Sequence, residues 1–303
     1  AKLIDQLLER PEYADYWSMK WADLLRVDRD AVTPKAAVAI TRWLRSQFAE
    51  NQPFDKFAHA VLTARGNTAK EGPAALYATV VSPEELSRSV AQLFCGIRIA
   101  CAQCHHHPSA QWGQDDYFAL AGFFSGVTRK PLPGGATAIV DGPGTDLKNP
   151  RTGLVVPARA LGVANAPKLL PTTDRRAVFA DWMTSPSNPY FAPSIANRLW
   201  AHYFGHGLVE PLDDFRPTNP ATNEPLLAEL SKHLRDTKYC TLPVGDLSAL
   251  AIAHCGRSCA AAADSSVVRT IPEYTWVYTQ DYFPDTGDWS STAFPFSPQG
   301  TSR

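Results

Sequence analysis

The stretch Ser82-Pro83-Glu84-Glu85-Leu86-Ser87-Arg88-Ser89-Val90-Ala91-Gln92-Leu93-Phe94-Cys95-Gly96-Ile97-Arg98-Ile99-Ala100-Cys101-Ala102-Gln103-Cys104-His105 carries both the fold class and the chemistry of this chain. Its first residues are a helix start. Ser82 is a side-chain cap, Pro83 suits the first turn, and Glu84 and Glu85 face the positive end of the helix dipole. Leu86, Val90, Leu93, Phe94 and Ile97 then recur at helical spacing, and the helix leads straight into Cys101.

Helical signals dominate on the amino-terminal side of this stretch. Leu3, Ile4, Leu7 and Leu8 repeat until Pro11, and Tyr13, Tyr16, Trp17, Met19, Trp21, Leu24 and Leu25 form an aromatic-rich second face. Pro34 sits at a first helical turn followed by Val38, Ile40, Trp43, Leu44 and Phe48, and Pro53 opens a segment that ends near Gly66. Residues 67–81, with Gly72 and Pro73, lack periodicity and read as a loop. Downstream, Asp115 or Asp116 is expected to cap a helix bearing Tyr117, Phe118, Leu120, Phe123 and Phe124.

Composition then shifts to turn chemistry, with ten Pro and Gly between Pro131 and Pro157. Within it, Leu147-Lys148 and Leu154-Val155-Val156 flank Asn149-Pro150-Arg151-Thr152-Gly153 as a hairpin would. Helices resume after Asp174 with Val178, Phe179, Trp182 and Met183. The next is opened by Ser187-Asn188-Pro189 and closed by Gly205 or Gly207, and a third runs from Asn223 to Leu234. The expected fold is therefore mainly α: helical domains at 1–130 and 173–239, joined by a Pro/Gly-rich segment at 131–172 with a small β-hairpin. Residues 240–303 form an irregular, atypical tail.

Of 303 residues, 45% are hydrophobic and 19% charged, and the formal net charge is −1. That balance suits a packed core and gives no global pull on nucleic acid or an anionic membrane. No stretch reaches the roughly 18 apolar residues of a spanning helix, since Gln92 and Arg98 interrupt Val90 to Ala100. The start Ala1-Lys2-Leu3 reads as a fragment or a processed form. Six cysteines are too few for a disulfide-built scaffold.

Cys101-Ala102-Gln103-Cys104-His105 has the spacing of a c-type haem attachment site. Two thiols three positions apart can each form a thioether with a haem vinyl group, and the adjacent His lies under the iron as axial ligand. Random placement of 6 Cys and 8 His yields such a string only about 0.003 times. Zinc or another metal held by Cys101, Cys104, His105 or His107 is an alternative, as is a redox dithiol or a structural disulfide. His106 reads as solvated, whereas His107 before Pro108 could orient a propionate. The candidates for the iron's opposite face are Met19, His59, Met183, His202 and His206. Trp112, Tyr117 and Phe123 are expected to pack the haem edge. Farther along, Arg198 and His202 stand one helical turn apart. One reading of the stretch is a capped helix with a solvated acidic loop. The sharper one puts Arg198 and His202 near haem propionates or the distal face, and has Asp213 or Asp214 bind substrate or a cation.

Several of these strings resemble a known family. Leu93-Phe94-Cys95-Gly96-Ile97-Arg98, Cys101 through Pro108, Trp112, Gln114, Tyr117 and Phe123-Phe124 are similar to planctomycete-type secreted proteins that pair two domains of unknown function, often beside a separate cytochrome c domain. Trp17 to Leu25 and Trp43 to Phe57 resemble the start of the first domain. Asp174-Arg175-Arg176, Trp182 to Pro186, Asn188-Pro189, Asn197 to His202, Gly207 to Pro211, Asp213 to Arg216, Asn219-Pro220 and Leu226-Leu227 resemble the second. The resemblance covers residues 1–239 and implies export to the periplasm or cell surface and a polysaccharide-degrading setting. It implies a redox partner protein or fused cytochrome c domain, and polysaccharide as a further partner. His106 stands where the family has an acidic residue. After Tyr239 the chain departs from the pattern, as a shifted reading frame or a divergent tail would.

The function expected is an exported c-type haem protein that moves electrons, with Cys101 and Cys104 as anchors and His105 as axial ligand. The rivals are a haem- or metal-dependent enzyme acting on carbohydrate, and a non-catalytic surface scaffold with a Cys101–Cys104 disulfide.

Overall fold

A computed structural model describes residues 6–27 and 32–240. The fold is mainly α with short antiparallel strands, as the periodicity indicates. In chain order the elements are α1 (Pro11–Leu24), α2 (Pro34–Ala49), α3 (Phe54–Leu62), β1 (Gly66–Asn67), α4 (Leu76–Thr79), α5 (Pro83–Cys95) and α6 (Gln114–Ala121). There follow β2 (Val127–Pro131), β3 (Thr137–Asp141), β4 (Leu147–Lys148), β5 (Val155–Val156), α7 (Arg175–Thr184), α8 (Phe191–Phe204) and α9 (Glu224–Asp236). The irregular tail expected at 240–303 lies, apart from Cys240, outside the described residues.

Local capping chemistry accounts for most helix starts. Ser82 Oγ accepts from the Glu85 amide at 3.1 Å, Asp174 Oδ1 from Arg176 at 3.1 Å, and Asn223 Oδ1 from Leu226 at 3.1 Å. Each relieves a backbone donor that has no partner inside its helix. Pro34 occupies the first turn of α2 behind a Thr33 cap, and Gly205 ends α8 in the left-handed region at φ 81°. In α6 the expected cap moves. Gly113 is the N-cap, and Asp116, at the third helical position, accepts from the Gly113 amide at 2.9 Å.

The segment read as a loop at 67–81 instead holds a 3-10 turn, Gly72–Ala75, and α4. Its pattern hid this because Ala74, Ala75, Leu76 and Tyr77 are all buried, which leaves no polar face to mark a period. Gly72 permits the burial: a Cβ there would stand 2.6 Å from Trp43 Cβ and 2.8 Å from the Ala39 carbonyl oxygen.

The hairpin forms where expected, with Leu147 opposite Val156 and Lys148 opposite Val155. A second sheet, of order β1-β3-β2, pairs Gly66 with Ile139 and Arg129 also with Ile139 from the other side. One continuous cluster of buried side chains takes in Trp21, Phe57 and Phe94 together with Phe179, Phe191 and Leu230. Within it α7 packs on α3, and α8 packs on α5 and α9. Arg176 of α7 is 2% exposed, donates to the Ala64 carbonyl at 2.7 Å and to Asp141 Oδ1 at 2.5 Å, and lies 4.7 Å over the Tyr77 ring. Arg65 pairs with the same Asp141, which makes this a charge-satisfied joint between α7, the end of α3 and β3. Among the described residues no helix is long and apolar enough to cross a membrane.

Candidate functional site

After α5 the chain turns at Gly96 (φ 65°), buries Ile97 and Ile99, and enters a 3-10 turn at Ala100–Gln103. Side chains three apart eclipse on a 3-10 turn. Cys101 and Cys104 therefore share one side, and both are exposed and unpaired, while Ala102 faces the core. By contrast Cys95 is buried, which pushes its thiol up to about 12.

His105 is exposed, and its Nδ1 stands 2.6 Å from the His106 carbonyl oxygen. A carbonyl can only accept, so Nδ1 carries a proton, and the neutral ring with that proton has its lone pair on Nε2. That is the tautomer a metal-ligating imidazole uses. His106 is exposed as well, and its ring has room because Gly113 has no side chain: a Cβ there would meet His106 Cε1 at 2.9 Å. His107 is half-buried. Its amide donates to the Trp112 carbonyl at 2.9 Å and its Nδ1 accepts from the Ser109 amide at 3.2 Å. Burial, with the neighbouring Arg216 cation second, holds His107 below the ordinary imidazole value.

The wall behind the turn is aromatic and dry. Gln114 Nε2, on buried Gln114, donates to the Gln103 carbonyl at 2.8 Å. Trp112 meets Tyr190 edge-on, Tyr117 Oη donates to the Glu84 carbonyl at 3.2 Å, and Phe123 packs on Phe179. Burial raises the Tyr117 phenol to about 12. These three rings, expected at a haem edge, face the protein's own core.

Asp213, expected to hold substrate or a cation, is wholly buried and has both oxygens occupied. Arg98 donates to Oδ1 from Nε at 2.9 Å with its Nη2 2.7 Å from the same oxygen, and Gln92 donates to Oδ2 at 2.5 Å. Asp214 pairs with Arg216 at 3.1 Å. Arg198 donates to the Leu93 carbonyl at 3.4 Å, whereas His202, one turn on, lies against Tyr16, Trp17 and Lys20 of α1. The two are thus drawn to different helices. Met183 is fully buried in the core, His59 bonds Asp181 at 3.2 Å, and Met19 and His206 are exposed. The residues the sequence reading passed over are Gln92, Arg98, Ser109, Arg216 and Thr218, which surround the turn. For Gln92 and Arg98 the advance signal was that they interrupt the apolar run Val90 to Ala100.

The turn fits the chemistry of covalent haem attachment: two accessible thiols on one side, and an exposed imidazole that donates through Nδ1. It does not enclose such a group, because the nearby rings are already packed. Among the described residues no three His, Cys, Asp or Glu side chains are grouped to hold a metal ion.

Fold and turn together define a mainly helical protein that presents a dithiol–imidazole turn at its surface. Two family models match: PSCyt2, a protein of unknown function (DUF1549), over residues 1–129, and PSD1, a protein of unknown function (DUF1553), over residues 175–241. The two matches, one on each side of the Pro/Gly-rich segment, support the resemblance to the paired-domain family. No curated protein and no solved structure matches it.

Proposed function

We propose that the chain is an exported c-type haem protein that transfers electrons through a haem attached at Cys101–His105. The observation that carries this reading is the state of His105, whose Nδ1–H is bonded to the His106 carbonyl while the ring stands exposed beside two unpaired thiols. Each thiol would add across one vinyl group, sulfur to the inner carbon and hydrogen to the outer, with no leaving group. Bound there, haem supplies an iron that changes charge by one electron. The exposed turn keeps the path to a redox partner protein short, and Ala102 and Trp112 exclude water behind it. Export and a polysaccharide-degrading setting follow the family resemblance.

A second reading, an enzyme with an open axial position acting on carbohydrate, is favoured by one observation. Of the five residues expected as distal ligands, Met183, His59 and His202 are held in other contacts. Cyanide binding to the ferric form separates it from a six-coordinate carrier.

The test is a pyridine haemochrome spectrum and an intact mass on protein exported with the cytochrome c maturation machinery, beside Cys101→Ala/Cys104→Ala. A c-type spectrum that survives denaturation and vanishes in the double variant is expected. Colourless protein of bare-chain mass, from a host that attaches haem to a control cytochrome, refutes the proposal. A mass two protons short of the bare chain favours the disulfide scaffold.

A further inference from the structure

We propose that the loop Asp213–Thr218 is a clamp that holds the Cys101–His107 turn from both ends, with Arg98 and Asp213 as its positioning residues. At the entry, Asp213 receives one bond and an ion-pair contact from Arg98 and one bond from Gln92, and Phe215 donates its amide to the Gly96 carbonyl at 2.9 Å. The Phe215 ring also fills the space beside Gly96, 2.6 Å from where a Cβ would stand. At the exit, Thr218 Oγ1 donates to the Ser109 carbonyl at 3.1 Å. Between these ties the Asp214–Arg216 pair lies beside His107.

The turn needs such anchoring. The bonds that close it on itself, from the Cys104 and His105 amides to the Cys101 carbonyl, are both 3.3 Å long, beside shorter ties from Ala102 to Ile99 at 3.0 Å and from His107 to Trp112 at 2.9 Å. Hydrogen bonds in 3-10 turns have poor geometry and hold short segments weakly. An exposed turn also gains little from apolar burial. Arg98 stands three residues before Cys101, so fixing its guanidinium fixes the direction from which the thiols and His105 are presented. Asp213 is fully buried, so its carboxylate stays paired or the loop departs as a unit, which makes the clamp an all-or-none device. The first domain's turn then depends on a loop from the stretch matched by the second family model, which gives the pairing of the two domains a physical reason.

The inference rests on reading the turn as the functional site, but its first readout needs no haem. Hydrogen exchange is followed in the cofactor-free full chain for wild type, Asp213→Asn, Arg98→Met, Arg98→Lys and Thr218→Ala. In Asp213→Asn and Arg98→Met the amides of Cys104, His105 and His107 are expected to exchange about tenfold faster while those of α2 are unchanged. Arg98→Lys, which keeps the cation, retains most of the protection, and Thr218→Ala loosens only the exit. Unchanged exchange at the turn, or equal acceleration in α2, overturns the clamp. Where Asp213→Asn and Arg98→Met fail to fold, Thr218→Ala decides: unchanged exchange at the exit overturns the clamp. In haem-loaded protein the ligation bands of His105 shift in Arg98→Met, and bands identical to wild type overturn its positioning role. Loss of haem from wild type refutes the proposed function and leaves the exchange result standing.

Discussion

Protonating His202 should loosen the packing of α1 against α8. Nδ1 of His202 stands 3.2 Å from Lys20 Nζ, and an ammonium can only donate, so the imidazole accepts and is neutral. Its ring meets Trp17 at 4.7 Å between centroids and Tyr16 at 5.6 Å. Burial first, and the Lys20 charge second, push His202 down to about 4. The unfolded imidazole titrates near 6.5, so between the two values the unfolded chain binds more protons than the folded one. Stability from this site is therefore complete above about pH 6.5 and is lost as pH falls toward about 4. By linkage the loss at about pH 5 is about 2 kcal/mol, and screening of a partly exposed ring reduces it to about 1 kcal/mol. The assay is urea unfolding near neutral pH and at about pH 5, for wild type and His202→Gln. Wild type should lose about 1 kcal/mol more than the variant over that interval. Lys20→Met should recover the smaller share of the shift, because burial remains. Parallel losses in wild type and His202→Gln would refute the argument.

Gly96→Ala puts a Cβ at φ 65° and within 2.6 Å of the Phe215 ring, and should cost about 2 kcal/mol, seen as a lower urea midpoint at unchanged m. A variant as stable as wild type would show that Phe215 yields without cost. Arg176→Met removes a buried cation from Asp141 and the Ala64 carbonyl, though Arg65 still faces Asp141, so the loss should fall near 3 kcal/mol. A calorimetric or denaturant loss under about 1 kcal/mol would mean the joint contributes little.

What could be read from the sequence was short-range. The Ser82 cap, the Pro34 start, the helix start after Asp174 and the Leu147–Val156 hairpin each depend on residues only a few positions apart, and each stands where it was expected. What could not be read was choice of partner across the chain. Nothing near Gly66-Asn67 announces that Ala138 and Ile139 will pair with it, since a two-residue strand has no period. Asp213 and Asp214 look alike in sequence, yet the first turns inward to Arg98 and the second pairs with Arg216. The site followed the same rule. Its reactive side chains formed a local string, whereas Gln92, Arg98 and Thr218 reach it from separate segments.

That division has a physical basis in what a reactive turn requires. Cys101, Cys104 and His105 are exposed, as the proposed attachment requires, so burial does not hold them in place. Apolar anchors alone, Ile97, Ile99 and Ala102, would keep the segment against the core but leave its register free to slide, because dispersion and hydrophobic burial are non-directional. A guanidinium bonded and ion-paired to a buried carboxylate, whose other oxygen Gln92 holds, tolerates little slip without leaving a charge unpaired. Arg98 is therefore costly as an interruption of an apolar run and useful for the same reason. It converts the position of a distant loop into the orientation of the residues three places beyond it. On this argument Arg98→Leu, which suits the apolar run better, should leave α5 as helical by circular dichroism while the turn amides lose their protection. Equal protection in that variant would return the task of holding the turn to Ile97 and Ile99.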